Sequence, residues 1–364
     1  MRLRLFLTLV LAAAATFLVP AAAQAVPGDK WATVFVDKPS VTTWTVASTA
    51  KQWGSWKNSY PSLWADTMKV NTGRVFVRLP KVQSYPLQGV AHVTAVSATG
   101  NYCEVFRIFP SGGNQYVDVT CFRPGGALAD TQFSLLWTLG SGVLAAGQGS
   151  QAYLERDIST VAQTYNSTGV ANTLATVSTG VYRATFPGVA AGGLSGNVQV
   201  SAYHHLGAPR RCKLATWALT GAADITADIA CFDQNGAPIA GEFVVSCHRE
   251  RASYGLRGGV LPRSFGYLTT GGPFNTNYNY KAGGWGVNTV AVTSPGRYLV
   301  TYPQLGMGGE TNVQVTATGP GSGYCSLAAL WIHSGTTATA DVKCFDNAGV
   351  ATAQDFSATF DGKY

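Results

Sequence analysis

The stretch that decides the fold is CKLATWALTGAADITADIACF, residues 212–232. Cys212 and Cys231 lie symmetrically about the small-residue turn TGAA, so that Leu214 faces Ile229 on the same side of a two-stranded pair. Directly opposed residues of antiparallel strands bring their Cβ atoms close enough for a disulfide. The stretch therefore predicts a β-hairpin that is closed by its own cysteine bridge.

Two other stretches repeat this pattern: CEVFRIFPSGGNQYVDVTCF from residue 103 and CSLAALWIHSGTTATADVKCF from residue 325. Their cysteines also oppose one another when residues are paired outward from the turn. Each bridge would contribute about 3 kcal/mol by closing its loop in the chain-entropy model. The alternative is three pairs of buried thiols. The predicted bridges are Cys103–Cys121, Cys212–Cys231 and Cys325–Cys344.

The repeat extends to both sides of the hairpin. Each copy first has a strand that runs into proline: GRVFVRLP from 73, GVYRATFP from 180 and GRYLVTYP from 296. An alternating strand follows: GVAHVTAV from 89, GNVQVSAY from 196 and TNVQVTAT from 311. A phenylalanine lies twelve residues after the second cysteine of every copy: Phe133, Phe243 and Phe356.

A period of about 110 residues indicates tandem domains, and a side-chain period of two indicates strands. The sequence therefore predicts an all-β protein of three tandem antiparallel β-sandwich repeats, jelly-roll-like, each with six to eight strands and one intradomain disulfide. The first repeat, with a tryptophan-rich insertion, is placed at 26–140, the second at 150–250 and the third at 265–364. Tandem linkage also predicts that the second and third copies stay folded without the first.

Residues 1–25 have the organisation of a secretory signal peptide. Arg2 and Arg4 form a positive start, an apolar segment follows, and Ala23-Gln24-Ala25 is a cleavage site of the A-x-A type. We predict cleavage after Ala25 and a secreted, extracellular protein without a membrane span; a permanent membrane anchor is the alternative. Export to an oxidising compartment agrees with the paired cysteines.

The charge balance is mildly basic. The chain has 25 basic and 18 acidic residues, a net charge of +7, and loss of Arg2 and Arg4 lowers it to +5. Only 12% of the residues are charged and the basic ones are scattered, whereas nucleic-acid-binding proteins gather theirs on one face. We therefore predict no nucleic-acid partner. Four arginines gather around the second linker and are expected in a solvated connector: Arg249, Arg251, Arg257 and Arg263.

The order of these motifs resembles a known repeat. GVYRATFP, then GNVQVSAY, then the cysteine pair with CFDQNGAP in the middle copy resembles repeats of secreted bacterial proteins that are common in actinomycetes. The resemblance covers most of the chain after the leader, but Arg123 replaces the motif's aspartate in the first copy and Val350-Ala351 its proline region in the third. The family is functionally uncharacterised, so the resemblance implies export and repetition but no activity and no catalytic residues.

Motifs for catalysis are not evident. None of the five histidines has metal-ligand spacing, and there is no G-x-S-x-G elbow. We therefore predict a protein that is not an enzyme and that needs no cofactor and no metal. Asp118, Asp228 and Asp341 each precede a second cysteine by three residues and are expected to be solvated or paired with a lysine or arginine. Cys247 is left as a thiol outside the bridges and is expected to be buried, because it replaces an aromatic residue of the other copies; an intermolecular disulfide and a reactive nucleophile are the alternatives.

Aromatic residues give the one pointer to a ligand. Flat rings on polar loops can stack on sugar faces, although large rings usually pack in cores. The predicted ligand-binding residues are Trp44, Trp53, Trp56, Tyr60 and Trp64 in the insertion, and Tyr278, Tyr280 and Trp285 in the third copy. We therefore predict a secreted binding or surface-associated protein that recognises glycan or cell-wall polymer. A structural or protein-interaction repeat protein and a secreted hydrolase of unrecognised type are the alternatives.

Peptide mapping without reduction tests the bridges. We expect linked peptides that join 103 to 121, 212 to 231 and 325 to 344, and alkylation of Cys247 only after denaturation, because that thiol is expected in a core. A linkage between cysteines of different copies would contradict the hairpin prediction.

Overall fold

The computed structural model describes residues 29–145, 148–158, 160–190, 196–203, 208–255, 264–271 and 276–363. The predicted signal peptide lies outside the described residues. The regular secondary structure of the described residues is β-strand apart from two short 3₁₀ turns at Thr49–Lys51 and Ser55–Asn58, and the predicted all-β class is confirmed. Within these ranges, no helix has the length and apolar character that crossing a bilayer requires.

The strands follow the three copies. Those of the first copy are β1 (Lys30–Val36), β2 (Thr45–Val46), β3 (Gln52–Gly54), β4 (Asp66–Asn71), β5 (Arg74–Leu79), β6 (Val90–Val96), β7 (Tyr102–Ser111), β8 (Asn114–Phe122) and β9 (Gln132–Leu139). Those of the second are β10 (Ser150–Arg156), β11 (Val161–Asn166), β12 (Thr173–Ser178), β13 (Val181–Phe186), β14 (Asn197–Tyr203), β15 (Arg210–Thr220), β16 (Asp224–Asp233) and β17 (Glu242–Arg249). Those of the third are β18 (Ser264–Thr269), β19 (Tyr278–Asn279), β20 (Gly284–Trp285), β21 (Thr289–Ser294), β22 (Arg297–Tyr302), β23 (Thr311–Thr318), β24 (Tyr324–Leu327), β25 (Ile332–Ser334), β26 (Thr337–Phe345) and β27 (Asp355–Gly362).

The cysteine hairpins pair as predicted. In β15 and β16, Cys212 faces Cys231 and Leu214 faces Ile229, and a bulge follows at Ala215. The same pairing joins β7 to β8 and β24 to β26. Disulfides connect the cysteines within each hairpin, which confirms the prediction of one bridge per copy: Cys103–Cys121, Cys212–Cys231 and Cys325–Cys344.

Each copy is a sandwich of two half-sheets. In the first copy, β1, β6 and β9 form the inner half-sheet, and β4, β5, β7 and β8 form the outer half-sheet, which holds the cysteine hairpin. Phe133 and Trp137 of β9 share a core with Val75 and Val77 of β5. Alternation along the strands puts these residues between the layers, and full burial of one such side chain stabilises the fold by about 2 kcal/mol.

The inner half-sheet of each copy continues into the outer half-sheet of another copy. A parallel pairing joins β7 of the first copy to β14 of the second, β15 of the second to β23 of the third, and β24 of the third to β6 of the first. Backbone hydrogen bonds reinforce two of these seams, from Ser97 N to Leu327 O at 2.7 Å and from Gly319 N to Leu214 O at 3.0 Å. Three nine-stranded sheets result, each contributed by two copies, and they close the copies into a ring.

The inner half-sheets meet along the axis of the ring, where β6, β14 and β23 contact one another. These strands are buried on both faces, although their sequences alternate apolar with polar residues. The polar residues face the axis and join the copies. Thr94 Oγ1, for example, accepts a hydrogen bond from Val315 N at 2.9 Å and donates one to Gln314 Oε1 at 2.8 Å.

The same contact recurs around the ring with one substitution. Thr316 Oγ1 accepts a hydrogen bond from Val200 N at 2.9 Å and donates to Gln199 Oε1 at 2.8 Å. At the third position, Ser201 Oγ lies 3.2 Å from Nδ1 of His92, which stands where the other copies have glutamine. Every hydroxyl of this set therefore links two copies, and its buried polar atoms are satisfied.

The segment after the second copy closes one end of the axis. Arg251 is buried and forms an ion pair with Asp29, with 3.4 Å between Nη2 and Oδ2. Ser253 is buried too, and both its backbone N and its hydroxyl bond to Asp361 of the last strand. The expected solvated connector is therefore wrong for Arg251, because this segment packs under the ring. Residues 256–263, with two of the four arginines, lie outside the described residues.

The shared sheets also argue against copies that fold independently. Without the first copy, β14 loses its partner β7, and β24 loses its partner β6. Both edges would then expose backbone groups, and the polar axis of the other two copies would be open to water.

We therefore expect a fragment that begins at residue 143 to lose the cooperative thermal transition of the full chain. Differential scanning calorimetry of the two proteins measures this. Addition of the separately produced first copy is the control and should restore the transition. A fragment that melts cooperatively at the Tm of the full chain would show that the copies fold alone.

His92 gives a pH-dependent test of the axis. It is buried between Ser201 and Ser246, and burial lowers its pKa to about 3. Between its ordinary value of 6.5 and that lowered value, the unfolded chain binds a proton that the folded chain does not. The free energy of unfolding therefore falls as the pH falls through this window, by about 1.4 kcal/mol per pH unit for this residue.

The variant His92→Gln, which carries the glutamine of the other two copies, should lack this contribution. We expect urea unfolding between about pH 7 and pH 5 to show the parent chain losing stability faster than the variant. Burial raises the pKa of Asp361 to about 7 and that of Glu155 to about 8; these groups change stability in the opposite sense, but both proteins contain them. Equal pH slopes for the two proteins would contradict the assignment.

Candidate functional site

Three of the predicted ligand-binding aromatics are exposed. Trp44, Tyr60 and Trp64 of the insertion have 36%, 46% and 36% of their surface in solvent. Lys57 Nζ lies 3.1 Å from the centre of the Trp64 ring, so one face of that ring is covered by a cation. Trp44 lies against a further ring, that of Tyr116.

The other five predicted aromatics are buried or half-buried. Trp56 is buried and donates a hydrogen bond from Nε1 to Leu63 O at 3.0 Å. Tyr278 is buried in a cluster where the first and third copies meet. Three more rings are half-buried against that cluster: Trp53, Tyr280 and Trp285. Large rings cover apolar surface between the copies here, so we leave these five residues out of the candidate surface.

The candidate site is the outward face of the outer half-sheet of the first copy. Phe109 and Tyr116 oppose each other across the hairpin and stack with ring centres 5.1 Å apart. Trp44 meets Tyr116 edge-on at 6.0 Å, and Phe76 meets Phe109 edge-on at 5.8 Å. We call these four rings, together with the arginines between them, the aromatic platform; its arginines are Arg74, Arg78 and Arg107.

Strand alternation and one bulge build the platform. In β5, Val75 and Val77 point into the core, so Arg74, Phe76 and Arg78 point outward. In β7, the register shifts between Val105 and Arg107. Such a bulge re-aims the side chains that follow it, and it places Ile108 in the core and Phe109 on the outward face.

Carboxylates hold the arginines in place. Arg78 Nε donates to Asp66 Oδ1 at 2.8 Å, and its guanidinium lies 4.4 Å from the centre of the Trp44 ring. Arg74 and Arg107 both donate to Asp118, at 2.9 Å and 3.2 Å from their Nε atoms. Burial raises the pKa of the Asp118 carboxyl, and the two guanidiniums counter that rise. The platform has two carboxylates and three guanidiniums, so its net charge is small. The ion pairs fix the positions of the guanidinium N–H donors.

The aspartate on this face is paired in every copy. Arg183 Nε lies 2.7 Å from Asp228 Oδ1 in the second copy, and Arg297 Nη2 lies 2.5 Å from Asp341 Oδ2 in the third. The expectation of pairing with arginine is therefore confirmed at all three positions, and these aspartates do not form an acidic binding spot.

The platform is a property of the first copy. Tyr116 corresponds to Thr226 and Thr339 at the same hairpin position in the other copies, and Phe109 corresponds to Ala218 and Ile332. Tryptophan density led to Trp44 but missed the other members. A comparison of the outward-facing strand positions across the three copies could have found them. Only in the first copy do these positions carry both aromatic and basic residues.

Cys247 is buried in the core of the second copy, in the same cluster as Phe243 and Val245, and takes no part in a disulfide. Burial raises the pKa of its thiol, which leaves it protonated and without access to a partner chain. In the described part of the chain, His, Cys, Asp and Glu do not gather in groups of three or more that could hold a metal ion.

Comparisons with family models, curated proteins and solved structures found no match to this chain. The resemblance of the repeats to secreted actinomycete proteins stays a prediction.

Proposed function

We propose that the protein is a secreted, non-enzymatic binding protein that holds a glycan or cell-wall polymer on the aromatic platform. The observation that carries this proposal is the asymmetry of the three outward faces. Four rings and three arginines gather on one face, while the other copies carry one arginine each there and have alanine, isoleucine or threonine in place of Phe109 and Tyr116. Packing within the fold does not require this difference, since the other copies fold without it.

The chemistry of the platform suits sugars. The solvent-accessible parts of these rings offer apolar surface to the C–H groups of a pyranose, and the guanidiniums and the Tyr116 hydroxyl offer hydrogen-bond donors beside them. The face is a sheet surface rather than a cleft, which suits an extended polymer better than a small molecule.

Secretion belongs to the same proposal. The predicted leader directs export, and three disulfides are typical of proteins in oxidising compartments. A cell-wall or environmental polymer is a ligand that an exported protein meets.

A structural or protein-interaction role is the second candidate. The outward face of the third copy exposes aliphatic side chains: Val292 is 70% exposed, Ile332 62% and Leu299 36%. Such a face suits contact with another protein or with a second copy of this chain. An enzyme remains the weakest of the three hypotheses, because the sequence carries no recognised catalytic motif.

Depletion from solution by insoluble peptidoglycan, chitin or cellulose tests the glycan proposal. We expect the parent chain to bind at least one of these polymers. Trp44→Ala and Tyr116→Thr should each weaken binding about tenfold, which corresponds to about 1.4 kcal/mol, because they remove stacking surface. The second variant carries the residue of the other copies, which the same hairpin position tolerates.

The matched control is Ile332→Ala, which removes an exposed side chain at the position that corresponds to Phe109. It should bind polymer like the parent. Equal binding by the platform variants and the parent would refute the platform. Self-association in light scattering that is lost in Ile332→Ala, without polymer binding by the parent, would favour the second candidate.

A further inference from the structure

A cavity lies on the ring axis at the end opposite the buried Ser253 segment. Its volume is about 60 Å³ and all three copies line it. The residues that precede the first cysteine of each hairpin meet there: Tyr102 from the first copy, Arg211 from the second and Tyr324 from the third. Two of the three equivalent positions are therefore aromatic, and one is a cation.

The Arg211 guanidinium is buried with donors to spare. The residue is only 6% exposed. Its Nη2 donates to the carbonyl oxygens of Asp233 and Gln234, at 3.2 and 3.4 Å. Its Nε and Nη1 have no hydrogen-bond partner among the described residues, and neither has the hydroxyl of Tyr102, which is also buried. A buried donor without a partner costs about 1–3 kcal/mol, and more when it is charged.

The neighbouring rings do not supply the missing acceptor. Arg211 lies over Tyr102 and Tyr324, 5.2 and 4.5 Å from their ring centres. Such contacts use the flat face of the guanidinium. The N–H bonds of the guanidinium lie in its plane, so they do not point at the rings above and below it. The Tyr324 hydroxyl donates to Gly100 O at 2.6 Å and is also within hydrogen-bonding reach of the Arg211 guanidinium, but Nε and Nη1 of Arg211 stay without a partner among the described residues.

The lining of the cavity is also rich in basic side chains. Arg210, Arg211 and Lys213 line it, and no carboxylate is among its described lining residues. Glu104, the counterpart of Lys213 in the first copy, is buried, and burial raises the pKa of its carboxyl well above the usual range. Burial lowers the pKa of Lys213 to about 8, so this group keeps its charge at neutral pH.

We propose that the axial cavity binds one small inorganic anion, with Nε and Nη1 of Arg211 and the hydroxyl of Tyr102 as its donors. A water molecule needs about 10–15 Å³ of such space, so the cavity has room for a halide or a compact oxyanion. The anion accepts hydrogen bonds from two copies and lies against the third. It therefore ties the cysteine ends of the three hairpins together and stabilises the closed ring.

Thermal unfolding of the full chain tests the proposal. Chloride, bromide, nitrate and phosphate are titrated at constant ionic strength against gluconate, which is too large for the cavity. We expect at least one small anion to raise Tm along a saturating curve, as binding to the folded state requires. Saturation at lower concentration by halides identifies a spherical ion, and saturation first by phosphate identifies an oxyanion. A rise that does not saturate, for any of these anions, would overturn the proposal.

Two variants locate the site. Arg211→Gln should abolish the saturating rise, whereas Arg183→Gln, which removes an arginine from the outward face of the same copy, should keep it. Tyr102→Phe keeps the ring and removes the hydroxyl, so the affinity for the anion should fall about tenfold, as expected for a hydrogen bond to a charged group. An unchanged anion response in Arg211→Gln would overturn the site. If Arg211→Gln does not fold, an unchanged affinity in Tyr102→Phe would do so.

Crystals of the parent chain soaked in bromide give an independent readout. An anomalous peak within hydrogen-bond distance of Arg211 Nε is expected. Bromide peaks confined to the protein surface would contradict the assignment.

Discussion

The whole architecture depends on hydroxyl groups that cross the axis and bond to the backbone of the next copy. Strand β6 pairs with β9 along its length, but its other edge reaches β24 only at Val96. Without other acceptors, the backbone N–H groups of β6 on that edge before Val96 would be buried and unpaired. A buried N–H group without a hydrogen-bond partner costs free energy of folding. Ser201 accepts from Val93 N, and the threonines at the equivalent positions do the same for β14 and β23. The polar residues of the axis thus satisfy backbone N–H groups at the edges of the sheets. The ring closes because each copy supplies a hydroxyl acceptor for an N–H group of another copy.

This arrangement frees the outward faces for other roles. The inner half-sheets are committed on both sides, one face to the core of their own copy and one to the axis. The outer half-sheets contribute one face to the core, and their other face meets solvent. Residues on that face can change without effect on ring closure, and the three copies have diverged there, with the platform on the first and exposed aliphatic residues on the third. In each outer half-sheet, the disulfide cross-links the two strands of the cysteine hairpin.

Charged groups at the two ends of the axis break the equivalence of the copies. Arg211 stands where the other copies have tyrosine, and Asp361 stands where they have Thr138 and His248. Asp361 is satisfied by Ser253, from the segment that closes its end. Arg211 has two donors left over at the other end. Because the copies belong to one chain and can differ, each of these two sets of equivalent positions holds one ionisable acid or arginine rather than three like charges, which are costly to bury together.

The sequence by itself determined the local structure. Cysteine spacing, turn residues and a side-chain period of two were sufficient for the three hairpins, their bridges, the repeat and the burial of Cys247, because these depend on neighbours along one strand or across one turn. It also pointed to Trp44, which is the exposed ring of the aromatic platform. The sequence did not show which side chains of different copies contact one another across the axis. His92, Gln199 and Thr316 alternate with valines as residues of a half-exposed strand would, and only the close approach of the other two copies buries them. Likewise, five predicted aromatic ligands became packing residues, and Phe109 joined the platform through a bulge. Long-range contacts decided these features, since a strand pattern states which side chains share a face but not what that face meets.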